Sequence, residues 1–261
     1  MQDLTYLAPT SIRLFKTFIL PILLYNTENW STLTDKKLKQ FTENTLFDGI
    51  SDSKADVMHR KLLKFVLGVS KSCTNLAVYA ETNEIPISLK AYRLTLNFWH
   101  RVSNSPDSTL AKKAMLENIR LRTNWIITIE KLINRFNLAD KIGNHNRFKK
   151  AAKDEIEKAY LKCWQNELEK PGVSRLEFYR EIKGGFKKEN YLDIENFEHR
   201  RPISQLRCSD HLLEIDAGRH RKIDRHVRLC NQCANRAIGT SEQLMNDLDP
   251  IKLGIYLTEA F

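Results

Sequence analysis

The sequence predicts an all-α protein, and three observations carry that expectation. Gly and Pro are scarce, nine and seven in 261 residues, so few positions interrupt a regular backbone. Apolar residues recur at three- and four-residue intervals along most of the chain, the spacing that lines one side of a helix. Finally, 42% hydrophobic against 28% charged residues is enough apolar material, at this length, to bury a core without disulfide or metal staples.

The helices are expected in the following order. Thr10 and Ser11 are placed to cap a first helix with Leu14, Phe15, Phe18, Ile19, Ile22 and Leu23 on its apolar side and a kink at Pro21. Ser53 and Asp56 open a second, with Met58, Leu62, Phe65, Val66 and Val69 on one face. Pro86 suits the first turn of a third, whose stripe is Leu89, Tyr92, Leu96, Trp99 and Val102, closed by Asn104–Asp107. A fourth begins at Thr123 and aligns Trp125, Ile129, Leu132, Ile133 and Phe136. A fifth carries Ile156, Tyr160, Cys163, Trp164 and Leu168 before Pro171-Gly172 stops it. Helical spacing already explains these aromatic stripes as core. From about Glu198 basic residues crowd together and a CxxC appears, so a small irregular module is expected there.

The formal net charge is +10, from 42 Lys+Arg against 32 Asp+Glu, which favours polyanionic partners, RNA or DNA first among them. Five cysteines, an odd number, do not form a secreted disulfide framework. The longest apolar run, Phe18–Tyr25, is broken by Pro21 and falls far short of the ~20 residues of a membrane span. No secretory leader pattern opens the chain. The expectation is an intracellular protein, cytoplasmic or nuclear or both, with no membrane partner; the sequon at Asn29-Trp30-Ser31 is then a chance match.

Two constellations carry chemistry. Cys230-Asn231-Gln232-Cys233 is half of a tetrahedral zinc site, since two intervening residues let both thiolates reach one ion. Cys208 and His211, about twenty residues upstream, have the spacing to complete it, with His220 and His226 in reserve. The same residues also read as reduced thiols and ordinary polar side chains. The second constellation is the run Arg219, His220, Arg221, Lys222, Arg225, His226 and Arg228, offset only by Asp224. Guanidinium groups grip phosphate oxygens bidentately and displace condensed counter-ions, giving sequence-independent, salt-sensitive affinity. A solvated charged face is the plainer reading of that run. No adjacent Asp-Asp pair on a plausible hairpin, phosphate loop, nucleophile elbow or His-Glu-x-x-His helix occurs, so no catalytic residues are assigned and the chain is not expected to be an enzyme.

Three ordered segments resemble a known family. Leu14–Trp30 resembles the segment after the palm in non-LTR (LINE-type) retrotransposon reverse transcriptases, where a helix ends in a Leu-Tyr-Gly-x-Glu-x-Trp-like signature; here Asn26 stands in place of the Gly. Lys61–Val69, Thr74–Glu81 and Ile85-Pro86-Ile87 look like the thumb of that family. Ser209–His220 and Arg228–Cys233 resemble its C-terminal tail, although no His or Cys follows Cys233 and half of the family's usual zinc site is therefore missing.

The resemblance implies a thumb-like helical bundle followed by the basic CxxC module. Residues 1–50 would be the post-palm helix and connector, 51–104 the thumb-like helices, 105–197 a variable helical linker, and 198–261 the basic tail with its incomplete zinc motif. Thumb helices pack against a primer–template backbone, so Lys61, Lys64, Lys71, Lys90 and Arg93 would contact phosphates, which position rather than specify. The family's catalytic carboxylates lie in the palm, so polymerase activity is implied for the parent and not for this chain. The implied partners are RNA or DNA and the missing palm and fingers. A helical protein-interaction module with no nucleic-acid role is the alternative, because an uncovered thumb would leave an apolar surface.

Overall fold

A computed structural model describes residues 8–30, 53–170, 176–210, 221–224 and 227. Among the described residues every regular element is a helix: α1 (Ala8–Leu14), a π turn (Phe15–Ile19), α2 (Leu20–Leu24), α3 (Thr27–Trp30), α4 (Lys54–Leu67), α5 (Asn75–Thr82), α6 (Ile87–Ser103), α7 (Leu110–Arg120), α8 (Asn124–Arg135), α9 (His145–Glu169), α10 (Glu177–Ile182) and α11 (Phe197–Arg207), with 3-10 turns at Ala139–Lys141 and Asn190–Asp193. The all-α expectation holds. Among the described residues no helix is long and apolar enough to cross a membrane. The chain divides into two compact units, one made of 1–16, 60–84 and 168–261, the other of 17–59 and 85–167.

In the second unit α6 is the common partner, with α2, α3, α7 and α8 packed on it. Leu89, Tyr92, Leu96 and Val102 are buried as their spacing predicts. The Nε1 of Trp125 on α8 donates to the Glu28 carbonyl at 2.8 Å, and the ring meets Phe98 edge-on at 6.2 Å. Pro86 at the N-cap of α6 has no side chain to accept from its first amides, so the buried Asp56 carboxylate does so, taking the Ser88 N–H at 3.2 Å. In α9 the residues Ile156, Tyr160, Cys163 and Trp164 are all buried, as expected.

In the first unit α5 is buried on all sides from Leu76 to Thr82. Leu63, Val66 and Leu67 of α4, Tyr179 of α10, Tyr191 and Leu192 of the 3-10 turn, and Ile203 and Leu206 of α11 supply its remaining core. Gly68 ends α4 in the left-handed region, φ +69°, its N–H returning to the Phe65 carbonyl at 3.1 Å and the Val69 N–H to Lys64 at 3.1 Å. A Cβ at this position would lie 2.7 Å from Arg201 Cγ and 2.9 Å from Phe197 Cζ. Gly68→Ala is therefore expected to lose more than the ~1–2 kcal/mol of a left-handed alanine, read as a fall in the urea midpoint with unchanged slope.

Several expectations are corrected. The first helix starts at Ala8, so Thr10 and Ser11 lie inside it and do not cap it. Its buried side is Ala8, Ile12 and Phe15, whereas Phe18 and Ile22 are exposed. The π turn stands just ahead of Pro21, whose ring offers no N–H to the carbonyl four residues back; the ladder widens there instead of breaking. The buried side of α4 contains Asp56, His59, Leu63, Val66 and Leu67, and Met58 and Phe65 are exposed. Two buried polar residues rotate that face away from the one hydrophobicity marks. Residues 197–207 are helical rather than irregular, capped by Asn196 Oδ1 accepting from the Glu198 N–H at 2.9 Å. The CxxC lies outside the described residues.

Candidate functional site

The first unit is organised around a buried charge cluster. Glu81 ends the last turn of α5 with its side chain wholly buried. Arg207, from the end of α11, grips it with both arms of the fork, Nε to Oε2 at 2.8 Å and Nη2 to Oε1 at 3.1 Å. Lys183, just past α10, approaches Oε1 at 3.3 Å and bonds Glu189 Oε1 at 2.6 Å and the Ala80 carbonyl at 3.1 Å. The hydroxyls of Tyr191 and Tyr179 donate to the remaining lone pairs at 2.8 and 3.1 Å. Two carboxylates and two cations make the cluster neutral, and every acceptor of Glu81 is used. It joins α5, α10, the 3-10 turn and α11 and presents no open acid or base, so its work is to hold those four elements in one arrangement.

Its electrostatics follow from that packing. Burial alone would push the Glu81 carboxyl up, but the Arg207 guanidinium and the Lys183 ammonium hold it below the ordinary value of 4.5. The same contact raises Arg207 despite the cost of burying it. Burial and the adjacent Glu81 charge push both Tyr179 and Tyr191 well above the usual phenol value, so they remain donors. Because the folded carboxyl titrates below the unfolded one, the unfolded chain takes up more protons in acid. The stability contributed by Glu81 is complete above the unfolded value and falls as pH drops through the folded one. Thermal melts at falling pH are expected to lose midpoint below about 4.5, with the loss reduced in Glu81→Gln.

A second junction lies beside it. Asp210, three residues past α11, accepts from both the N–H and the Oγ of Ser70. This pins the lead-in to α5 against the C-terminus of α11, where Gln205 Nε2 also donates to the Gly68 carbonyl at 3.1 Å. Cys208 is buried here and its thiol is hydrogen-bonded to Cys73; that bond and burial raise it well above the usual thiol value. Zinc takes the thiolate, so an ion at Cys208 has to displace both the proton and Cys73. His211, Cys230 and Cys233 lie outside the described residues. Among the described residues no three His, Cys, Asp or Glu side chains form a group able to hold a metal ion.

The basic candidates separate by environment. Lys61 and Lys71 are exposed, in the first unit, and Lys90 and Arg93 are half-buried on α6, in the second. Lys64 donates to the Lys71 carbonyl at 2.8 Å and the Cys73 carbonyl at 2.6 Å, and burial lowers its pKa; it secures the loop that Asp210 also holds. Arg221 and Lys222 are exposed in a turn in which Lys222 is left-handed, φ 57°, and Asp224 is exposed beside them. Arg219, Arg225 and Arg228 lie outside the described residues. Sequence reasoning missed Glu81, Lys183, Glu189 and Arg207. One signal was present: Glu81 follows the unbroken apolar run Leu76–Ala80, where a charge has to find a buried partner.

No protein-family model, curated protein or solved structure matches this chain.

Proposed function

We propose that the chain binds the phosphate backbone of RNA or DNA without reading sequence, through helices and a basic tail like the thumb and C-terminal tail of LINE-type reverse transcriptases. The observation that carries the proposal is the density of cations between Arg219 and Arg228, of which Arg221 and Lys222 are exposed with one acid nearby, in a chain of net charge +10. Several such groups release condensed counter-ions together and give affinity independent of base order. Asn26 is consistent with the resemblance. Its φ of 56° is the left-handed conformation in which Gly is the default and Asn the next most tolerated residue, so Asn26 can stand where the family signature has Gly.

Filter binding of the purified chain to two unrelated duplexes and two unrelated single strands tests this reading. Similar affinities within each pair are expected. A preference of a hundredfold for one sequence, or no binding to any, would count against it.

One observation favours a protein-interaction module instead. Phe18, Ile22 and Tyr25 are 63%, 71% and 80% exposed on consecutive turns, more apolar surface than a lone helix normally leaves in water. Discrete oligomers on size exclusion that dissolve in Ile22→Glu, without any nucleic-acid binding, would select that reading.

A further inference from the structure

In the second unit two imidazoles meet outside every site described above. His100, buried near the end of α6, and His145, half-buried at the start of α9, turn the same nitrogen to each other, Nδ1 to Nδ1 at 3.1 Å. Phe148, one turn along α9, lies nearly parallel to the His100 ring at 4.3 Å and 10°, which holds its plane. Asn104 donates to the His100 carbonyl at 2.7 Å, and its exposed amide lies 3.4 Å from both ring nitrogens.

The separation has a second meaning. Metal–nitrogen bonds of about 2.0–2.1 Å meeting at roughly 90–109° place two ligand nitrogens about 2.8–3.4 Å apart, and 3.1 Å falls within that interval. We propose that His100 and His145 form an exchangeable site for one first-row divalent cation of the kind imidazole prefers, Ni²⁺, Cu²⁺ or Zn²⁺. No third His, Cys, Asp or Glu joins them among the described residues, so the remaining positions fall to water and to the Asn104 amide oxygen after a flip of that group. The proton between the two Nδ1 atoms moves through water to Nε2 of the ring that carries it, so each imidazole keeps one proton and none is lost overall. Two protein ligands make this a site that fills and empties with the ion's concentration rather than a structural one.

Ni²⁺ is the probe, added by calorimetric titration to the full chain carrying Cys230→Ser and Cys233→Ser to silence the tail thiols. One ion per chain is expected, with affinity falling tenfold or more in His100→Gln and in His145→Gln. Circular dichroism of the half-buried His145 variant separates loss of a ligand from loss of the fold. In parallel, paramagnetic Ni²⁺ should broaden the imidazole resonances of His100 and His145 before those of any other histidine. Unchanged affinity in a folded His145→Gln variant, no binding in the parent, or broadening that begins at another histidine would each overturn the proposal.

Discussion

Glu81→Ala is expected to cost about 3–5 kcal/mol, because removing one partner of a buried ion pair leaves its counter-charges under-compensated. Arg207 and Lys183, two buried cations, would be left to share Glu189 as their one acid, at 3.3 and 2.6 Å. Tyr191 and Tyr179 would lose the carboxylate they donate to, Tyr179 keeping the Ala77 carbonyl at 3.4 Å. Four elements converge on this carboxylate, so the loss should appear as failure of the whole first unit, seen in urea unfolding followed by far-ultraviolet dichroism. Glu81→Gln preserves shape and one acceptor and should cost less than the alanine while still losing the charge. The pair need not contribute net stability for this to hold. Replacing Glu81, Lys183 and Arg207 together by apolar residues of similar volume should recover much of the loss, since their desolvation is then avoided. A Glu81→Ala protein as stable as the parent would mean that the carboxylate does not hold these helices together.

The second large effect is on binding. Reversing Arg221, Lys222 and Arg225 to Glu removes three cations from the run and adds three anions next to a phosphate backbone, and affinity for RNA and DNA should fall by orders of magnitude at low salt. The magnitude follows from counter-ion release: each lost phosphate contact lowers the slope of log affinity against log salt by about one, so the triple variant should show a slope smaller by about three. The loss should be the same for every sequence tested, because phosphate contacts position the chain and carry no base information. Reversing Lys61 and Lys71, which are exposed in the first unit, tests the thumb-like helices separately. A fall in binding there with the tail intact would show that both regions touch the backbone. Lys64→Ala is a poorer probe, since its ammonium is already used on two carbonyls and its loss should loosen the loop.

How far these features were legible depends on what each helix buries. α6, α8 and α9 bury one long apolar stripe each, and periodicity located all three with most of their core residues. α4 was located but its face was misjudged, because Asp56 and His59 are buried beside Leu63 and Val66, and a hydrophobicity pattern counts such residues as outward. α5 is surrounded on all sides and has no polar face to set a period, so Thr74–Glu81 was noticed as a motif and not as a helix. α7 was overlooked because it buries only Met115. α10 and α11 are short, and α11 hides Arg200 and Arg207 in the core, residues that read as surface until their partners are known. The charge cluster was hidden for the same reason. Its members are spread from residue 81 to residue 207, and nothing local says that two carboxylates and two cations so far apart will neutralise one another. The basic run was legible because its members are neighbours in the chain.

The salt dependence of binding by the parent chain tests the central claim most directly. Titrating one duplex and one single strand at salt concentrations from low to physiological should give log affinity that falls linearly with log salt, by about 0.9 per phosphate contacted on duplex and about 0.7 on single strands. Affinity that stays level across the series would contradict the account, because an interaction made by Arg and Lys on phosphates cannot be indifferent to the counter-ions it displaces.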